Sequence, residues 1–256
     1  MRLKVENITR ILTEQLSSWS AVNAITLAES ANEELLSPYF FMSVDIFYRG
    51  NIPSPASRAA SLSQPAAFES TNSGFKDRFL MDGLPVRLEY KNMDRIESFL
   101  ETGTEPAYAL RDTGTYLFYR ILNNRVLFQK SPWLQDIRKR ITVLPESYWR
   151  PLVLSCRVSM EHQVSDLAAA VLAEDDFFYL RSLSALVNTI CSLMFLINKK
   201  FEPSGRRMVD QLFALPSLPE NFRGRFECLI REDSDFDQER KKEIALLLTQ
   251  NISAMI

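Results

Sequence analysis

Apolar residues near the start of the chain recur mostly in steps of three and four: Ile8, Ile11, Leu12, Leu16, Trp19, Val22 and Ile25. That period puts them on one helical face, so residues 5–36 are expected to be helical. The last part, "SANEELL", reads as a short separate helix ended by Ser37-Pro38. The pattern changes at residues 39–48, "YFFMSVDIFY", where aromatic and β-branched residues dominate as in a buried strand. "RGNIPSP" breaks that strand, and Ser54 followed by Pro55 opens a helix. Residues 75–92, "FKDRFLMDGLPVRLEYKN", set two strand-like runs around Asp82-Gly83, which is hairpin chemistry. "NMDRIESFLE" then begins a helix with Asn92 as its cap.

From about residue 105 no strand pattern is evident. Helices are expected near 106–129, 133–141, 146–173, 175–200, 204–215 and 235–254, punctuated by prolines at 132, 145, 203, 216 and 219. The expected fold class is therefore α+β. A mixed sheet with helices occupies residues 1–104, and an all-helical bundle without sheet strands occupies residues 105–256.

Composition narrows the function classes. The 256 residues are 46% hydrophobic and 24% charged, a balance that supports a folded core without staples. A net charge of −2 gives no global basic field, so nucleic acid is not indicated as a partner. Cys156, Cys191 and Cys228 form no CxxC, and His162 is the single histidine, so a zinc site has few ligands to draw on. Free buried thiols fit a cytoplasmic location. Residues 180–200, "LRSLSALVNTICSLMFLINKK", include Arg181, Asn188 and Thr189 and read as a buried core helix rather than a membrane span. No membrane partner is expected.

Two acids stand out. Alternate residues of a strand share a face, so Ser43, Asp45 and Phe47 lie together, opposite Val44, Ile46 and Tyr48. In the hairpin, Arg87 and Glu89 lie opposite Val86, Leu88 and Tyr90. If the two strands join one sheet, Asp45 and Glu89 converge, and converging carboxylates suit a divalent ion. The competing reading is two acids that merely face solvent.

Order and content together resemble the nucleotidyltransferase superfamily, with its polymerase-β-like fold. "SVDIFYRGNIPSPASRA" resembles the first catalytic strand and turn of a divergent branch, and "KDRFLMDGLPVRLEYKNMDRIESFL" its later hairpin and helix. "MFLINKKFEPSGRRMVDQLFALPSLP" resembles a helical domain of unknown function that often follows, through Asn198, Phe201, Pro203, Arg206, Arg207 and Pro216. The resemblance implies a nucleotidyltransferase-like N-terminal sheet and transfer of a nucleoside monophosphate. It makes Asp45 and Glu89 the catalytic and metal-binding acids, with weakly held Mg²⁺. It makes Ser43, Arg87, Lys199, Lys200, Arg206 and Arg207 nucleotide contacts, the last four as one wall of an interdomain cleft. A nucleoside triphosphate is the implied partner, and the acceptor is open.

The departures from the family pattern are specific. No glycine precedes Gly50, so the Gly-Ser motif ahead of the acidic strand is missing. The usual Asp-x-Asp is Ser43-Val44-Asp45 here. The third acid falls at Arg87 or at Glu89. The expected function is a nucleotidyltransferase-like protein with weak or absent transfer activity. The alternative is a noncatalytic nucleotide- or partner-binding protein that uses its helical domain. "RVSMEH", residues 157–162, matches the Arg-x4-His spacing of an RNA-cleaving helical family, but reads more simply as a surface or core-edge histidine.

Overall fold

The computed structural model describes residues 2–28, 40–62, 65–101, 115–232 and 235–256. The expected helix over "SANEELL" lies outside them, as do residue 39 of the expected strand and residues 106–114 of the expected helix 106–129.

Helix α1 (Arg2–Ser17) carries the three- and four-residue apolar pattern and buries Val5, Ile8, Leu12 and Leu16. It stops earlier than its periodicity suggests. Residues Val22–Leu27 are strand β1, not helix. The run "VNAITL" is buried on both faces, so its apolar spacing matches a helix by coincidence, and its β-branched content decides. Strand β2 (Met42–Tyr48) is buried along its whole length. Helix α2 (Pro55–Ser61) starts with Ser54, whose side chain accepts from the Ser57 amide.

Three strands follow. β3 (Ala66–Ser70) lies in the serine-rich segment "SRAASLSQPAAFESTNSG" and does not follow from the sequence pattern. β4 (Lys76–Met81) and β5 (Leu84–Asn92) form the expected hairpin, with Asp82 and Gly83 both at positive φ, 49° and 72°. Two left-handed residues in succession give a turn whose twist matches the strands. Helix α3 (Met93–Ser98) is capped by Asn92, which accepts from the Arg95 amide at 2.9 Å.

The region after residue 105 contradicts the strand-free expectation. Helix α4 (Tyr116–Asn123) is followed directly by strand β6 (Arg125–Gln129), which pairs antiparallel with β1. "RVLFQ" is short and half-exposed, so it lacks a clean alternation. Helix α5 (Trp133–Thr142) closes this part of the chain.

The sheet order is β3-β4-β5-β2-β1-β6. β2 and β5 run parallel and every other pairing is antiparallel. One sheet face is aliphatic, with Val44, Ile46, Val86 and Leu88 packed in the cluster that holds the α1 residues. On that side Arg58, 1% exposed, forks onto Asp77 at 2.7 and 2.9 Å, and Tyr90 donates to the same carboxylate at 2.7 Å.

The chain divides into two units. The first comprises residues 1–101 and 120–143, and the second residues 102–119 and 144–256. The second is helical among the described residues: α6 (Glu146–Leu172) packs on α7 (Asp176–Ile197), and a 3-10 turn (Gly205–Arg207) leads to α8 (Met208–Phe213), α9 (Phe222–Ile230) and α10 (Gln238–Ser253). α9 was not foreseen. α7 is long and apolar enough to cross a membrane. Here it buries Leu186, Ile190, Leu193 and Met194 in the protein.

Candidate acidic site and the cations that fill it

The parallel pairing of β2 and β5 sets the register. Ser43 lies beside Arg87, and Asp45 beside Glu89. The face that alternation assigns to both acids is real, and it brings Ser43, Asp45, Arg87 and Glu89 together. It is not a solvent-facing surface at Asp45, which is 0% exposed.

A buried carboxylate requires a partner. Asp45 finds three, all outside the sequence-based site. Arg120 of α4 donates from Nε to Asp45 Oδ2 at 2.8 Å, and its Nη2 lies 2.7 Å from Oδ1. Asn124, one helical turn after Arg120, donates to Oδ2 at 3.0 Å. Lys91 Nζ lies 3.2 Å from Oδ1. Arg120 extends further. Its Nη2 donates to Ser43 Oγ at 2.8 Å, and its Nη1 is 3.3 Å from Glu89 Oε1. Lys91 also reaches Glu89 Oε2 at 3.4 Å, and Lys76 reaches Oε1 at 3.7 Å.

Helix α4 aims this guanidinium because its own end is fixed. Arg138 of α5 donates to the carbonyls of Ile121 and Asn124, both at 2.7 Å, satisfying the orphan acceptors of the last turn. Asn124 also donates to Thr26 of β1 at 3.3 Å. Phe118 and Ile121 are buried on the same short helix.

The electrostatics follow. Burial pushes the Glu89 carboxyl up, but the charges of Arg120, Lys91 and Lys76 outweigh it and hold it at about 2. Asp45, Glu89, Arg120 and Lys91 carry two negative and two positive charges, a neutral group. Mg²⁺ prefers near-octahedral oxygen ligands at about 2.0–2.1 Å. Asp45 Oδ2 accepts from Arg120 and Asn124, while Oδ1 makes no hydrogen bond and lies within ion-pair distance of Arg120 Nη2 and Lys91 Nζ, so a divalent ion at Oδ1 would sit against two cations and add two charges to a balanced group. Among the described residues no group of three or more His, Cys, Asp or Glu is arranged to hold a metal. The residues present therefore do not fit the Mg²⁺ that the resemblance implies.

The remaining expected contacts lie in the second unit. Lys199 is at positive φ, 52°, and pairs with Glu146 at 2.7 Å. Lys200 and Arg206 are exposed, and Arg206 and Arg207 form the 3-10 turn. This turn is anchored from within. Phe201 packs on Phe118 and Trp149. Buried Glu202 accepts from the Thr115 amide and hydroxyl at 3.1 and 3.2 Å. Asn198 bonds both ways with Ser217. His162 is exposed, and Arg157 is paired with Glu161, so the Arg-x4-His spacing has a surface explanation.

Sequence reasoning missed Arg120, Asn124 and Lys91. Lys91 was visible as the next same-face residue after Glu89. Arg120 and Asn124 share a face at (i, i+4), but nothing local ties them to β2, 75 and 79 residues away.

Residues 113–206 match the family model described as a domain of unknown function (DUF4037). No curated protein matches the chain. A nucleotidyltransferase-like protein from Exiguobacterium sibiricum 255-15 superposes with a TM-score of 0.54 at 12% identity, covering 96% of this chain and 73% of that one. A CCA-adding enzyme in complex with ATP aligns at 10% identity and a TM-score of 0.30, covering 98% of this chain and 81% of that one. Sheet order, the paired acids and the superposition together give this chain a nucleotidyltransferase-like fold.

Proposed function

We propose that this protein is a noncatalytic, nucleotidyltransferase-fold binding module, in which an internal guanidinium and ammonium have taken the place of the metal. One observation carries the reading: Arg120 donates to Asp45 Oδ2 and lies in ion-pair contact with Oδ1, while also touching Ser43 and Glu89. Nucleotidyl transfer needs charge stabilisation that tracks the developing transition state, from metal ions and preorganised donors. Here Asp45 and Glu89 spend their charge on holding Arg120 and Lys91. The missing Gly-Ser amides and the serine at residue 43 point the same way. Asp45 and Glu89 act in this reading as structural acids. In the first unit Ser43 and Arg87, and separately in the second unit Lys199, Lys200, Arg206 and Arg207, are candidate phosphate contacts, and a cytoplasmic setting fits three free thiols.

The test is incubation with each labelled nucleoside triphosphate and Mg²⁺ or Mn²⁺, scored for pyrophosphate release and for label on protein, RNA or small acceptors. No turnover above a protein-free control is expected. Turnover lost in Asp45→Asn would sink the reading. Calorimetry with the same nucleotides on Arg206→Ala and Lys200→Ala checks the second unit. Each phosphate-contacting cation should contribute about 1.5–3 kcal/mol, and unchanged affinity removes these residues from the proposed contacts.

A further inference from the structure

Helix α6 is apolar on two opposite faces. On one, Trp149, Leu152, Cys156, Met160, Val164 and Leu167 are buried, and α7 and α10 pack on this helix. At 3.6 residues per turn, Leu154, Val158, Ser165 and Leu172 point the other way, within about 40° of one another. The three apolar ones are 43%, 64% and 88% exposed. Val158, Ser165 and Leu172 stand at seven-residue steps, the spacing of a seam between two helices. The outward face of a surface helix is normally charged or polar. An apolar stripe running about 27 Å along the helix marks an interaction surface instead.

The charges beside the stripe have a polarity. Near the start of α6, Arg150 is exposed and makes no ion pair among the described residues. Arg157 is already paired within the helix, with Glu161 at 2.8 Å. At the far end the turn into α7 is acidic: Glu174, Asp175 and Asp176 are all exposed. Glu174 makes no ion pair among the described residues. Asp175 and Asp176 accept only neutral hydrogen bonds, from the Phe178 amide and from Gln238. Side-chain size has a polarity too. The stripe is bulky in its first half, at Leu154 and Val158, and small in its second, at Ser165 and Ala169, before Leu172 ends it.

We propose that the outward face of α6 is a dimerisation surface whose occupant is the same face of a second copy of this chain, packed antiparallel across a two-fold axis near Gln163. Both polarities are self-complementary in that arrangement. Leu154 meets Leu172 of the second copy, and Val158 meets its small Ala168 and Ala169. Arg150 reaches the acidic turn Glu174–Asp176 of the second copy, and the same contacts recur on the other side of the axis, as an isologous interface requires. A parallel pair would set Arg150 against Arg150 and leave both acidic turns together, which like-charge repulsion disfavours. The inference goes beyond the nucleotide reading and does not depend on it.

The experiment is sedimentation velocity on the full chain over a concentration series, under reducing conditions. A reversible monomer–dimer equilibrium is expected, because one helix stripe covers less than the roughly 800 Å² per partner of a standard stable interface. Val158→Glu, near the middle of the stripe, should weaken the dimer about tenfold or more. Arg150→Glu should weaken it severalfold, and Arg150→Glu/Glu174→Arg should recover part of that loss. Both single variants, diluted until monomeric, should melt at the wild-type temperature, since the altered side chains face solvent in the monomer. The direction of packing is read by copper-catalysed oxidation. Leu154→Cys/Leu172→Cys should give a disulfide-linked dimer above the wild-type background, and Leu154→Cys alone should not. A wild-type protein that stays monomeric at every concentration overturns the proposal and leaves the stripe to a different partner. So does a dimer unchanged by Val158→Glu or by Arg150→Glu, or a lowered melting temperature in dilute Val158→Glu, which would make the position structural. Efficient linkage through Leu154→Cys alone would mean a parallel pair and would overturn it as well.

Discussion

Arg120 and Asp45, 75 residues apart in sequence, form a buried ion pair, with a hydrogen bond of 2.8 Å to Oδ2, a contact of 2.7 Å to Oδ1, and side chains only 5% and 0% exposed. Breaking such a pair leaves one buried charge without its partner, at a cost of about 3–5 kcal/mol. Arg120→Met is expected to lose that much in urea unfolding, and Asp45→Asn a comparable amount. The double variant Arg120→Met/Asp45→Leu should lose clearly less than the sum of the single losses. Additive losses would mean that the two side chains are not energetically coupled.

Replacing Ser43 with aspartate restores an acid at the position where the family pattern has one, but Ser43 Oγ already accepts from Arg120 at 2.8 Å. The new carboxylate is expected to bind that guanidinium more tightly, not to recruit a metal. Ser43→Asp alone should show no Mn²⁺ binding in calorimetry. Ser43→Asp/Arg120→Ala, with three carboxylates and the guanidinium removed, should gain it. Strong Mn²⁺ binding by the single variant would mean that Arg120 does not control the acids.

Glu89 sets a pH dependence. Its carboxyl is held at about 2 against an ordinary 4.5, by the cations around it once the opposing cost of burial is overcome. A depressed folded-state value gives stability that is fully present above the unfolded value, and lost as pH falls from about 4.5 towards 2. The shift corresponds to about 3 kcal/mol. Wild-type protein should lose about that much more than Glu89→Gln between pH 6 and pH 2, by urea unfolding at fixed ionic strength. Parallel curves for the two proteins would show that Glu89 is not held by charge.

The aliphatic side of the sheet has its own polar lock. Asp77 takes both forks of Arg58 and the Tyr90 hydroxyl, and all three side chains are buried. Asp77→Asn removes the charge and keeps the shape, and is expected to cost about 3–5 kcal/mol. A loss below 1 kcal/mol in chemical denaturation would contradict a structural role for this pair.

The local features of this chain were legible where a short-range rule decides them. Asp82-Gly83 fixed the hairpin, Ser54 and Asn92 fixed two helix starts, and alternation put Asp45 and Glu89 on a shared face. Strands β1 and β6 were not legible. β1 is buried on both sides and so loses the alternation that marks a strand, while β6 is five half-exposed residues after a helix. The site was readable only in its acids. Its meaning depends on Arg120 and Asn124, which reach β2 through tertiary contact and leave no local trace.

The return of β6 to the sheet has a temporal meaning. Thr26 of β1 waits for Asn124, 98 residues later. At roughly 5–20 residues per second of synthesis, the outer edge of β1 stays unpaired for about 5–20 s, and Asp45 lacks Arg120 for nearly as long. A nascent chain stopped at residue 104 would present a bare strand edge, together with a buried acid stripped of its main partner. Such an edge is a template for pairing with other chains, and it is covered only once β6 has emerged and joined β1.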